Sequence, residues 1–232
     1  MNKAKPWLAG GLLVVAVWVV WNAFLKPAPE LSEAIQLRQR ALEMLGGHLL
    51  SKIEGDRVLV VSNPYAETAS ASSKTRRFEE AALRGLKKSL GVEKELVVDF
   101  PAIQPEFRDH PEKASIPTDS TTPLSFIMAP DAIDRLLAVH SDCALVISLV
   151  GLPVGVEGTG AWQSEIPFAL LKPDLRVLGS KGQARKLFRE QKILAAVVTD
   201  KESPDPVIID QESIDAVLAS TPEWLGFKSR QR

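Results

Sequence analysis

The sequence predicts a three-layer α/β sandwich with a mostly parallel five-stranded sheet, preceded by one N-terminal transmembrane helix. Three observations carry that prediction. Residues 7–25 (WLAGGLLVVAVWVVWNAFL) hold no charge and one strongly polar side chain, Asn22. Short, nearly continuous apolar runs recur at 57–62, 95–100, 144–150, 166–171 and 193–199. Amphipathic stretches with helical periodicity separate several of them, the alternation that builds a parallel sheet through right-handed crossovers.

The apolar run comes first. A helix over 7–25 reaches roughly 28 Å, close to the hydrocarbon thickness of a bilayer. Lys3 and Lys5 precede it, Lys26 and Pro27 follow it, and Trp7 and Trp21 stand where an aromatic belt forms. A cleaved signal peptide is the competing reading, but it needs a shorter apolar core and a small-x-small cleavage site. Cutting after Ala23 puts Trp21 at a position that needs a small residue, and cutting after Ala28 puts Lys26 there. An uncleaved single-span anchor is therefore favoured. Flanking positive charge is nearly balanced, yet the cluster on the six-residue tail favours an inside N-terminus and a main domain outside the cytoplasm. The expected organisation is a tail at 1–6, an anchor at 7–25, a Pro-stiffened linker at 26–31 and a single α/β domain at 32–232. The linker reaches roughly 15 Å if it is polyproline-like, which holds the domain close to the membrane.

Within the domain, Ser32 can cap a helix running to residue 53, with Ile35, Leu42, Leu45, Leu49 and Ile53 on one stripe. Gly46 and Gly47 are expected to weaken or break its middle. RVLVVS at 57–62 reads as a strand buried on both faces. A helix over 74–90 follows, with Phe78, Ala82, Leu86 and Leu90 inward and Gly91 as its stop signal. ELVVDF at 95–100 is the second strand. Residues 101–123 contain five prolines and predict a long irregular loop. Pro130 opens a helix to His140, and 144–150 is the third strand. Strands at 166–171 and 193–199 flank a helix at 181–191; 207–209 is a candidate short edge strand, and Asp210 is expected to cap a last helix to residue 219.

Composition bounds the function. About 200 residues after the anchor suffice for one well-buried core and not comfortably for two. A net charge of −1 with 25% charged residues carries no footprint for nucleic acid. The single cysteine, Cys143, makes no internal disulfide, fits either redox compartment, and reads as a small buried thiol. Basic residues concentrate on the predicted helices at 74–90 and 181–191. Solvated outer faces are the ordinary reading, and contact with anionic headgroups near the anchor is the sharper one.

The segment RVLVVSNPYAETASASSKTRRFEEAALRGLKKSLG, then ELVVDF, resembles the opening βαβ unit of periplasmic-binding-protein-like domains. DAIDRLLAVHSDCALVISLVG and KLFREQKILAAVVTD have a similar cadence, so the resemblance covers residues 57 to about 200. It implies one lobe of a fold in which ligand is normally held between two.

In an open parallel sheet a ligand binds beyond the carboxyl ends of the strands, where strand order reverses. For an order 2-1-3-4-5 that point lies between the first and third strands. The loops there supply the candidate ligand-binding residues: Asn63, Tyr65, Ser70, Ser72 and Ser73 from one, Gly151, Glu157 and Trp162 from the other. Small polar residues also populate ordinary loops, and that reading stays open. Lys74-Thr75 invites comparison with a phosphate-binding loop, but Thr68 and Ser73 stand where its two glycines belong. No H-x-x-x-H, C-x-x-C or G-x-S-x-G occurs. Catalytic residues, a metal and a cofactor are therefore not expected. The leading expectation is non-enzymatic binding of a small ligand or envelope protein by a membrane-attached domain. Carboxylate or serine chemistry, with Glu157, Glu165, Asp174 and Asp200 near the strand ends, is one alternative. A scaffold associating through the first helix is the other. Oligomeric state is not legible.

Overall fold

The computed structural model describes residues 29–68, 73–199 and 205–228. Two compact units divide the chain after Gln36, and the sheet with both its core layers belongs to the unit that begins at Leu37. No helix among the described residues is long and apolar enough to cross a membrane. The predicted anchor at 7–25 lies outside the described residues, as do Ser70 and Ser72.

Helix α1 spans Pro29–Leu50. It starts inside the predicted linker, with Pro29 in the first turn, where its missing N–H costs nothing. Gly46 and Gly47 do not break it. A Cβ on Gly46 would fall within 2.0 Å of Ser89 Oγ, so that glycine marks a close helix crossing rather than a weak turn. Then come β1 (Arg57–Val61), a short α2 (Pro64–Thr68), α3 (Lys74–Ser89) and β2 (Glu95–Asp99). Ser73 caps α3, accepting from Arg76 N at 3.2 Å.

The Pro-rich stretch is less irregular than expected. It holds α4 (Pro105–Arg108) and two 3₁₀ turns, Pro111–Lys113 and Pro123–Phe126, each of the three opening on a proline. A fixed φ near −65° prepares a helical start, so these prolines build short helices instead of open loop. Next are α5 (Ala132–Val139), β3 (Leu145–Ser148), β4 (Phe168–Leu171), α6 (Lys181–Arg189), β5 (Ile193–Val198), β6 (Val207–Asp210) and α7 (Ile214–Ser220).

Among the described residues the sheet has six strands, not five, in the order β2-β1-β3-β4-β5-β6. The first five are parallel, and β6 joins β5 antiparallel, pairing Ala195 with Asp210 and Val198 with Val207. Its side chains are too few for a two-period to stand out in the sequence, so only pairing with β5 establishes it as a strand. Asp210 ends β6 and does not cap the last helix. Its Oδ1 accepts from the N–H groups of Glu212 (3.1 Å) and Ser213 (3.2 Å), closing the turn into α7.

Alternation along the strands produces two cores. Val58 and Val60 of β1 with Leu145 and Ile147 of β3 pack under α1 and α3 through Leu42, Leu45, Leu49 and Leu86. Leu59, Val61, Val146, Phe168 and Leu170 pack under α5, α6 and α7 through Ile133, Leu136, Leu187, Phe188 and Val217. This is the predicted three-layer arrangement, with β1, β3, β4 and β5 buried on both faces and the edge strands β2 and β6 partly exposed.

Candidate functional site

Strand order reverses between β1 and β3, and a cleft of about 270 Å³ opens at their carboxyl ends. Beyond β1, the Ser62 side chain is buried and donates to Glu79 Oε2 at 2.7 Å. Asn63 follows, and its Oδ1 accepts from Tyr65 N at 2.9 Å, turning the chain into α2. Glu79 comes from the second turn of α3. Arg38 of α1 reaches it with Nη2 at 2.5 Å and donates from Nε to the Phe78 carbonyl at 3.0 Å. Burial pulls the guanidinium below its ordinary pKa, and the adjacent Glu79 carboxylate opposes that pull. The partly buried Arg38 and the buried Glu79 thus line the cleft as an ion pair, and Ser62 supports Glu79 from behind.

The facing wall comes from the residues that follow β3 and from the Pro-rich stretch. Leu149 and Val150 supply apolar surface beside Leu124, and Thr121 and Thr122 supply hydroxyls. Gly151 holds this wall in place. Its φ is +82°, and a Cβ there would lie 2.7 Å from Ser125 Oγ and 2.8 Å from the Thr122 Cβ. Only glycine permits both the backbone and the approach. Ser125 then fastens the loop, donating to Thr122 Oγ1 at 3.0 Å and accepting at its carbonyl from Val154 N at 2.9 Å. Arg176 ties the same stretch to the end of β4. It forks onto the buried Asp174 (2.6 and 2.8 Å) and reaches both oxygens of Asp119 (3.0 Å).

The residues expected to bind ligand separate into different roles. Asn63 lines the cleft and Gly151 shapes its wall. The Tyr65 hydroxyl sits 3.5 Å from the Phe107 carbonyl, bracing α4, and burial raises its pKa. Ser73 caps α3, and Glu157 is exposed on the 3₁₀ turn Val156–Gly158. Trp162, partly buried, packs edge-on against the core residue Phe168, with centroids 5.2 Å apart. Arg38, Glu79 and Thr122 were not singled out from the sequence. A signal for two of them existed: Arg38 lies on the Leu42–Leu45–Leu49 stripe of α1, and Glu79 beside the Ala82–Leu86 stripe of α3. A charge on the apolar stripe of each of two helices is the pattern of a buried pair.

Other expectations find plain positions. Among the carboxylates expected near the strand ends, Asp174 is buried against Arg176, Glu157 and Glu165 are exposed, and Asp200 lies outside the described residues. Burial raises the pKa of the Cys143 thiol. The basic faces carry counterions: Arg76 and Arg84 face Glu80, Lys88 faces Glu43, and Arg185 and Arg189 share Asp215.

No protein-family model matches the sequence, and no curated protein matches it. Solved structures do. A carbohydrate transporter from Acidothermus cellulolyticus 11B, in complex with myo-inositol, aligns over 82% of this chain and 63% of its own, with a TM-score of 0.50 and 11% identity. A sugar ABC transport substrate-binding protein from Bordetella parapertussis 12822 aligns over 84% of this chain and 63% of its own, with a TM-score of 0.47 and 12% identity. The likeness is one of fold. This chain spans less than two thirds of the length of either protein, and the α/β fold of periplasmic solute-binding proteins is the one its strand pattern resembles.

Proposed function

We propose that the chain is a membrane-anchored, non-enzymatic binding domain whose cleft takes a small, neutral, polyhydroxylated ligand. The observation that carries this reading is the Arg38–Glu79 pair on the cleft floor. It offers fixed donors and acceptors side by side with no net charge, the pattern that adjacent hydroxyls of a polyol satisfy. Asn63, Thr121 and Thr122 add groups that donate and accept, and Leu124, Leu149 and Val150 suit the C–H face of such a ring. A volume of about 270 Å³ sits at the small end of ligand sites, in keeping with a single ring. The transporter similar in fold was solved with myo-inositol, which is consistent with this class of ligand.

Calorimetric titration of the protein with myo-inositol and other neutral ring polyols tests the proposal. Asn63→Ala and Thr122→Val are expected to weaken the best binder at least about tenfold, roughly 1.4 kcal/mol each. Silence across the neutral panel, or binding indifferent to both substitutions, would remove this cleft as the site. The anchor at 7–25 and an extracytoplasmic domain belong to the same proposal, supported by the uncharged run and its flanking lysines. A reporter fused after Arg232 checks them: alkaline phosphatase is expected to be active and a cytoplasmically maturing fluorescent protein dark. The reverse result would put the cleft in the cytoplasm.

A further inference from the structure

Strand β2 ends the sheet, and its outer edge pairs with no strand among the described residues. Open edges are templates for another chain, and proteins commonly blunt them with proline, lysine or a bulge. β2 reads Glu-Leu-Val-Val-Asp and has none of these, and its register with β1 runs unbroken from Arg57↔Glu95 to Val61↔Asp99. Glu95 donates its N–H to the Asp56 carbonyl at 2.7 Å, and the Asp99 carbonyl accepts from Ser62 N at 3.0 Å. Both therefore face β1, and by strand alternation the N–H and C=O of Leu96 and Val98 face outward.

Side chains along this edge divide by face. Leu96 and Val98 turn toward α3, and Val98 is 39% exposed. Beside Val98 a groove of about 250 Å³ continues over Ala66, Leu83 and Phe100, bordered by the charged side chains of Glu67, Arg76, Glu79 and Glu80. Glu95, Val97 and Asp99 turn to the other face, where the two acids flank a valine. Arg57 divides its one guanidinium between two carboxylates, Glu95 and Asp142, which leaves the Glu95 end with an excess of negative charge, and His140 reaches Asp99 at 2.7 Å. A second copy adding its own β2 would set acid against acid: Glu95 opposite Asp99 if antiparallel, Glu95 opposite Glu95 if parallel. Like charges directly across a strand pair are destabilising.

We propose that the β2 edge docks an extended segment of a partner protein in which basic and aliphatic side chains alternate. The added strand satisfies the outward groups of Leu96 and Val98. Its basic side chains lie on the face of Glu95 and Asp99, and an aliphatic one enters the groove beside Val98. Main-chain bonds supply affinity, and the alternating faces supply selectivity.

The test titrates the full chain, in nonionic detergent, with the peptide Lys-Val-Lys-Val-Lys-Val-Lys and with its Glu-Val counterpart. The basic peptide is expected to bind with a Kd of roughly 10–100 µM, and the acidic one at least about tenfold more weakly. Val98→Pro removes an outward N–H at an edge position that tolerates proline, so the fold is expected to stay intact by thermal unfolding while binding falls at least about tenfold. Glu95→Lys, at an exposed strand end, is the second variant, and it should weaken the basic peptide and favour the acidic one. No binding up to about 1 mM, equal binding of both peptides, or binding that neither variant changes would each overturn the proposal. So would a concentration-dependent dimer abolished by Val98→Pro, which would make the second copy the occupant.

Discussion

Arg38→Met is expected to lower the stability of the domain by about 3 kcal/mol in urea unfolding. The substitution keeps most of the apolar stem but strands the Glu79 carboxylate, whose side chain is only 9% exposed, with Ser62 as its remaining partner. An uncompensated buried charge is the costly outcome, whereas removing both charges together is often nearly neutral. Arg38→Met combined with Glu79→Leu should therefore recover most of the loss, and the cycle should give a coupling of about 2 kcal/mol or more. A loss under about 0.5 kcal/mol from the single substitution would mean that water reaches the pair, as it does at exposed ion pairs. The same contact joins α1 to α3 under the cleft, so this stability is also what holds the cleft floor in place.

Gly85→Ala is expected to cost about 2 kcal/mol, against the direction of helix propensity. An alanine inside a helix ordinarily gains about 1 kcal/mol over glycine. Here a Cβ would lie 2.3 Å from the Gln39 carbonyl oxygen and 3.0 Å from Glu43 N, both backbone atoms of α1, so the helices themselves must part. Gly47→Ala is the internal control: nothing lies within 4 Å of a Cβ there, and a gain of roughly 0.5–1 kcal/mol is expected. Chemical denaturation of the two variants side by side reads both signs. A stabilised Gly85→Ala would mean that α1 and α3 do not cross this closely.

Gly46 and Gly47 look alike as a pair of helix-weakening glycines. One of them faces α3 at a close crossing and the other faces open space, a difference set by which side of α1 is covered. Arg38 and Glu79 are each visible as a charge on or beside an apolar stripe, but 41 positions separate them, and nothing in the spacing pairs them. The crevice between β1 and β3 was legible because the chemistry of parallel strand ends is general; Asn63 and Gly151 follow from it. Thr121 and Thr122 were not legible, since they arrive from the far end of a proline-rich stretch that Ser125, Gly151 and Arg176 help to fasten over the cleft. Tyr65, Ser73 and Trp162 carry the right chemistry for binding but are occupied by a brace, a cap and a core contact.

Local pattern by itself determined the five parallel strands, the helices between them and the three-layer class, because a strand buried on both faces and a one-striped helix each announce their surroundings. The sequence also holds the uncharged run at 7–25, on which the proposed anchor rests. Only the tertiary structure decided that 207–210 adds a sixth, antiparallel strand, that Asp210 ends it, and that a buried ion pair floors the cleft. The reason is the same in each case: strand pairing at an edge, capping and charge burial are properties of two segments brought together, and neither segment carries them alone.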